Sequence, residues 1–271
     1  MRWTVDHSLA VTYIGGPTAL IEIGDLRFLT DPTFDPAGQE YNLGRYRLRK
    51  TVGPAIDAGS LGRVDAVLLS HEHHFDNLDI AGRLVLAAGT RVLTTVAGAE
   101  RLGRSAMGLQ TWQMTEMSAP SGLKISITAV PARHGPEGGD RGPVTGFVLS
   151  NISASHGALY ISGDTVWFSG ILSICERFQI ETAILFMGAA VVREIGPSHL
   201  TFAAAEAIEF ARVFSNARII PLHFEGWEHL TESKREIADA FERAGLSNRL
   251  VWLDSNRRTV IPANGANQQI D

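Results

Sequence analysis

Three histidines fall within four residues in the segment Ser70-His71-Glu72-His73-His74-Phe75-Asp76-Asn77-Leu78-Asp79. Neutral imidazole nitrogens bind zinc and its transition-metal neighbours, and carboxylate oxygens complete such sites. Groups of the same kind close four other apolar runs: Asp31 after Leu29-Thr30, His134 after the run that begins at Ala129, Asp164 after Tyr160 to Gly163, and His223 after Ile219 to Leu222. In open α/β sheets ligands gather outside the carboxyl ends of strands, so five such ends can meet at one rim. A single Asp or His at a strand end is commonly a turn or cap residue. Five together, one with a histidine cluster, point to a metal centre.

Side chains two apart leaving a strand project to one side, so His71 and His73 are expected to face one ion while Glu72 points away. Asp76 and Asn77 fall where the next helix starts, and either could instead be its N-cap. Asp79, in the first turn, would sit well at the positive end of the helix dipole. His74 could equally face solvent.

The elements that must position these groups follow from apolar runs and turn signals. Strands are expected at 11–14, 19–23 and 26–30, separated by Gly15-Gly16-Pro17 and Gly24-Asp25 as turns of an antiparallel meander. Residues 32–58 read as a long loop carrying Tyr41, Tyr46, Arg45, Arg47, Arg49 and Lys50, suited to a lid or substrate wall. Strand 66–69, helix 78–87, strand 91–95 and a short helix 99–105 give a βαβ order. Strands at 124–130, 144–150 and 158–162, a helix near 166–176 and a strand at 182–186 repeat that order in the second half. The clearest helix spans 201–214 with Thr201 as N-cap. A strand at 218–222, a helix at 232–244 and strands near Val251 and Val260 follow. Residues 1–262 are expected to fold as one domain, with the polar tail 263–271 fraying.

With 271 residues, 45% of them hydrophobic and 20% charged, the chain can bury the core of a large α/β domain. The net charge of -5 gives no broad basic footprint for nucleic acid, the cluster at 45–50 aside. Nucleic acid is not expected as a partner. The single cysteine, Cys175, excludes an intramolecular disulfide and a thiolate-rich zinc site, and reads as a small core residue. No apolar run approaches the ~18 residues of a membrane span, and the first residues show no signal-peptide core. The cytoplasm, a small-molecule substrate and no membrane span are therefore the expectation, with homo-oligomerisation left open. His7 and His156 carry no expected role.

The ordered set resembles the metallo-β-lactamase superfamily, whose signature is a His-x-His-x-Asp-His run followed by a lone His, a lone Asp and a lone His. His71, His73, Asp76, His134, Asp164 and His223 match in order, and Asp31 matches the acidic residue that ends an early strand in that family. The resemblance covers nearly the whole chain, from Val11 to about Pro262. It implies an α/β fold, a four-layer αβ/βα sandwich of two mixed β-sheets face to face with helices on the outer faces. Carried over by position, His71, His73 and His134 would hold a first metal, and Asp76, Asp164 and His223 a second, with Asp164 bridging. Zn2+ at two sites is implied, with Mn2+ or iron as alternatives. Such a pair lowers the pKa of a shared water from ~15.7 towards ~7, so hydrolysis needs no protein nucleophile. Asp31 would orient a liganding imidazole.

Thr30-Asp31-Pro32, Asp76-Asn77-Leu78-Asp79 and Ser162-Gly163-Asp164-Thr165 look most like the ascorbate-6-phosphate lactonase-like branch, itself similar to the N-acylphosphatidylethanolamine phospholipase D group. In the latter a His precedes a similar helix, which makes His199 either a substrate contact or proton donor, or a helix-entry residue. The match departs at one place: an extra residue separates His73 from Asp76, and Asn77 stands where the motif has a His of the second site. Asn77 could be a weak oxygen ligand, His74 could replace the missing imidazole, or the second site could be depleted. The reading favours Asn77 near the metals and His74 outside them.

The function implied is hydrolysis of a small ester-like bond, a lactone first, with Asp76, Asp164 and His199 as catalytic candidates. Arg45, Arg47 and Trp227 are candidates for substrate binding, and His229 is read as closing a loop. The rivals are a phosphodiesterase, if the basic loop folds over the metals, an iron-dependent oxygen-using enzyme, and a metal-stabilised binding protein without turnover.

Overall fold

The computed structural model describes residues 8–87, 89–103, 106–151 and 157–262. His7, His156, Ser105 and the tail 263–271 lie outside them. β1 (Leu9–Gly15), β2 (Thr18–Ile23) and β3 (Leu26–Thr30) form the expected meander. The segment 32–58 is not structureless: β4 (Glu40–Asn42) and β5 (Arg47–Arg49) pair as an antiparallel hairpin. β6 (Ala66–Leu68), α1 (Ile80–Ala87), β7 (Arg91–Thr95), α2 (Val96–Leu102) and β8 (Ala106–Leu109) then build parallel pairs β3/β6, β6/β7 and β7/β8.

α2 starts three residues before the expected position because Thr95 Oγ1 accepts from Gly98 N, and it stops at Gly103, whose φ of 86° suits glycine. The second half adds β9 (Met114–Ser118), β10 (Lys124–Pro131), β11 (Thr145–Asn151), β12 (Ala158–Ile161), α3 (Ser169–Cys175), β13 (Ile180–Phe186), α4 (Ala204–Val213), β14 (Arg218–Leu222), α5 (Lys234–Arg243) and β15 (Arg258–Ile261).

One sheet runs β15-β1-β2-β3-β6-β7-β8 and the other β14-β13-β12-β11-β10-β9, each part antiparallel and part parallel. Their inner faces share one core, with Val11, Ile21, Phe28 and Leu68 against Ile127, Phe147, Ile184 and Leu222. Outside the second sheet, Ile171 of α3, Phe210 of α4 and Phe241 of α5 cover Tyr160 and Leu185. Leu86 of α1 packs with Leu20, Leu29 and Val67 outside the first. This is the four-layer sandwich, and each fully buried Leu, Ile or Phe contributes roughly 1.5–3 kcal/mol to it.

Several local expectations are corrected. α4 begins at Ala204, not Thr201; Glu206 Oε2 accepts from Ala203 N at 3.2 Å, while Thr201 Oγ1 accepts from Ala190 N and donates to Met187 O. Val251 makes a single bond to Ile219 O, at 2.8 Å, and lies in no strand. Cys175 is exposed at the end of α3 rather than in the core. Helix α1 starts at Ile80 because Asp79 Oδ1 accepts from Gly82 N at 2.8 Å.

Candidate metal centre

The sheets deliver the expected side chains to one rim. Asp31 and His223 directly follow β3 and β14, His134 and Asp164 follow β10 and β12, and His71 lies just past β6. Asp31 and His223 hold φ at 24° and 54°, the left-handed region that costs a non-glycine residue energy. Both are almost wholly buried, so their surroundings fix these conformations.

Three imidazoles converge. His74 Nδ1 lies 3.0 Å from His71 Nε2 and 3.1 Å from His134 Nε2. Nitrogens held by one tetrahedral zinc at ~2.0–2.1 Å would lie about 3.3 Å apart, close to this spacing. His73 departs from expectation: β6 ends at Leu68 and residues 70–79 are bends and turns, so the two-residue alternation of a strand does not carry through. Its Nε2 meets Arg141 O at 2.9 Å, while a ring nitrogen still lies within 4.8 Å of ligand atoms of His71 and His74 and its buried Nδ1 has no hydrogen-bond partner among the described residues. The remaining ring nitrogens are anchored: His134 Nδ1 to Leu200 O at 2.8 Å, and His71 Nδ1 to Ser70 Oγ at 2.9 Å. Ser70 Oγ and N donate in turn to Asp31 Oδ1, so Asp31 acts on His71 through a relay and not directly.

Beside this triad, Asp76, Asp164 and His223 bring ligand atoms within 4.8 Å of one another, and Asp164 also groups with His71 and His134. His223 Nε2 is 3.6 Å from Asp76 Oδ2 and 3.7 Å from Asp164 Oδ1. Both Asp164 oxygens and both His223 ring nitrogens are buried without a hydrogen-bond partner among the described residues. Groups left so are costly unless something satisfies them, and a cation between them does. The donor set therefore fits metal ions. Asn77 is fully buried, faces Asp31 and Asp164, and has neither amide atom in a hydrogen bond among the described residues.

Burial, reinforced by neighbouring imidazoles, holds His71 well below the usual histidine range and His74 down to about 3. Burial likewise brings His134 down to about 4. All three are kept neutral, the form that binds metal. Burial also raises Asp31 to about 8 and Asp164 to about 7. For Asp76 burial would raise the pKa, but the imidazoles of His223 and His229 outweigh it and hold the carboxyl well below its ordinary value.

His229 was missed as a site residue: its Nε2 reaches Asp76 Oδ2 at 3.0 Å across 153 residues. No spacing signal in the sequence joins the two. A narrow pocket opens on the cluster, bounded by His74, Asp76, His134 and His229 with Tyr46, Leu48, Arg141, Ala190, Val192, Ile195 and Leu200. The basic residues expected there are elsewhere. In β5 the alternation buries Leu48 and turns Arg47 and Arg49 outward, so Arg47 pairs with Glu40 at 3.1 Å. Arg45 is exposed, and Lys50 is buried against Asp79 at 2.9 Å. Trp227 is buried beneath the hairpin, 5.8 Å from Tyr41 between ring centroids, and does not line the pocket. His199 is half-exposed outside the pocket, with Nε2 3.1 Å from Glu206 Oε2.

Comparison with known proteins agrees with this geometry. The Beta-lactamase superfamily domain family matches residues 26–224, and the chain belongs to it. A UPF0173 metal-dependent hydrolase of Exiguobacterium sp. (strain ATCC BAA-1283 / AT1b) is 25% identical over 249 residues, 87% of this chain and 95% of the relative. Among solved structures, the isothiocyanate hydrolase from Delia radicum gut bacteria superposes with a TM-score of 0.80 at 20% identity, over 94% of this chain and 99% of that one. A possible metal-dependent hydrolase from Veillonella parvula DSM 2008 gives a TM-score of 0.81 at 17% identity, over 94% and 100%. The protein is a metal-dependent hydrolase of the metallo-β-lactamase fold. Among the described residues no helix is long and apolar enough to cross a membrane.

Proposed function

We propose that the protein is a two-metal lactonase, with zinc the best-suited ion. The observation that carries this reading is the convergence of three neutral imidazoles beside Asp164, whose two buried oxygens lack hydrogen-bond donors among the described residues. His71, His74 and His134 would hold the first ion, and Asp76, Asp164 and His223 the second. His74 takes the place that the motif's spacing gives to His73. Bound ions would bring the pKa of a water towards neutrality and polarise the scissile carbonyl.

The chain's own residues do the rest. Ser70 and Leu200 O fix the rings of His71 and His134, and His229 holds the Asp76 carboxylate. The apolar side chains of Leu48, Val192, Ile195 and Leu200 line the pocket beside these groups and limit its access to water. That lining, with Arg141 its one Lys or Arg, favours an ester linkage over a phosphodiester, because Arg47, Arg49 and Lys50 do not join it there. The Asp76-Asn77-Leu78-Asp79 and Ser162-Gly163-Asp164-Thr165 runs, which resemble the ascorbate-6-phosphate lactonase-like branch, support this chemistry. The test is a panel of γ- and δ-lactones beside bis-aryl phosphodiesters, with oxygen uptake followed in parallel. Lactone turnover that disappears on chelation supports the proposal; phosphodiester turnover or oxygen uptake alone overturns it.

A further inference from the structure

We propose that Arg141 forms a carboxylate-binding subsite, so that the substrate is a small lactone carrying one negatively charged carboxylate; this rests on the lactonase reading above. Arg141 lines the pocket together with His74, Asp76, His134 and His229. Among the described residues no carboxylate lies within ion-pair distance of its guanidinium, whereas Arg47, Arg101 and Lys50 are all paired. The backbone on either side is fixed, since Arg141 N donates to His134 O at 2.7 Å and Arg141 O meets His73 Nε2. The cation is thus anchored next to the metal cluster with its charged end uncommitted.

The rest of the lining selects the anion. Tyr46, Leu48, Val192 and Ile195 offer no second cation. One guanidinium matches one carboxylate, and its planar fork suits that geometry; a phosphate dianion would leave surplus charge in an apolar pocket.

The test compares γ-butyrolactone-carboxylate with its primary amide, which keeps the shape and removes the charge. The wild type should favour the carboxylate in kcat/KM by about tenfold or more, as expected for a charge-assisted pair, chiefly through KM. Arg141→Gln should bring the ratio close to one, and Arg141→Lys should keep part of it, with metal content checked in each variant to show an intact site. A preference that persists in Arg141→Gln, or none in the wild type, overturns the subsite. Calorimetry with tetrahydrofuran-2-carboxylate against tetrahydrofuran-2-carboxamide, ring analogues that cannot be hydrolysed as lactones, on the metal-loaded protein reads the subsite without turnover. Tighter carboxylate binding lost in Arg141→Gln supports the subsite even where no lactone is hydrolysed, an outcome that would count against the lactonase reading alone. Equal affinities in the wild type count against the subsite itself.

Discussion

At the residue scale the account turns on two adjacent histidines. His71, His134, Asp164 and His223 were legible because each closes an apolar run, and Asp76 because it matches the superfamily motif in order; the structure brings all five to one rim. Which of His73 and His74 faces inward was not legible, because it depends on the turns after Leu68, which no alternation rule describes. The proposed ligand set predicts that His74→Ala lowers affinity for the first ion by more than about 100-fold, whereas His73→Ala, which removes only a supporting contact, costs about tenfold or less. Competitive zinc titration with a chelating dye distinguishes them; equal losses would contradict the assignment. The same logic gives His229 a role that sequence distance hid. His229→Ala should weaken the second ion about 10–100-fold while leaving the first bound, because Asp76 loses the imidazole that orients it. Calorimetric titration resolving two binding steps reads this directly.

At the element scale, strands with alternating or continuous apolar character were recovered, and the exceptions have physical reasons. β9 reads Met-Thr-Glu-Met-Ser and is an edge strand with no fully buried residue, so it leaves no hydrophobic period. The β4–β5 hairpin is only three residues on each side and is held by what lies beneath it. Its end is secured by Lys50, whose Nζ meets Asp79 Oδ2 in a buried pair. Asp79 also accepts from Phe34 N, Asp35 N and Gly82 N, tying the segment after β3 to the start of α1. A Cβ on Gly82 would stand 1.9 Å from Pro32 O, so this approach requires glycine. Asp79→Ala leaves Lys50 buried and unpaired and should cost about 3–5 kcal/mol in denaturant unfolding, part of it recovered by Lys50→Met in the same chain. No recovery would mean that the pair itself is not the source. At the entrance to α4, Glu206 raises the pKa of His199 above its ordinary 6.5. This pair stabilises the fold fully below that value, and the contribution is lost as pH rises through the raised pKa. A proton NMR titration should place His199 above 6.5 and return it towards that value in Glu206→Gln.

At the scale of the whole molecule, the two mixed sheets set five strand ends beside one another, and the fold's stability and its chemistry meet at that rim. The layer order was legible from the run of elements and from the resemblance to the superfamily, while the pocket walls were not. Those walls come from the hairpin and from residues 190–200, which are distant in sequence and carry no periodic signal. Because the side-chain polar atoms of Asp164 and His223 are buried without a hydrogen-bond partner among the described residues, metal binding should be linked to folding. Verified removal of metal should lower Tm by on the order of 5–10 °C, restored by adding zinc; an unchanged melting curve would contradict that linkage. The most direct test of the central claim is anomalous diffraction at the zinc edge from crystals of zinc-loaded protein. The account predicts two peaks, one bound by His71 Nε2, His74 Nδ1 and His134 Nε2, the other by Asp76, Asp164 and His223. A first peak bound by His73 with His74 turned away, or no peak among these side chains, would contradict it.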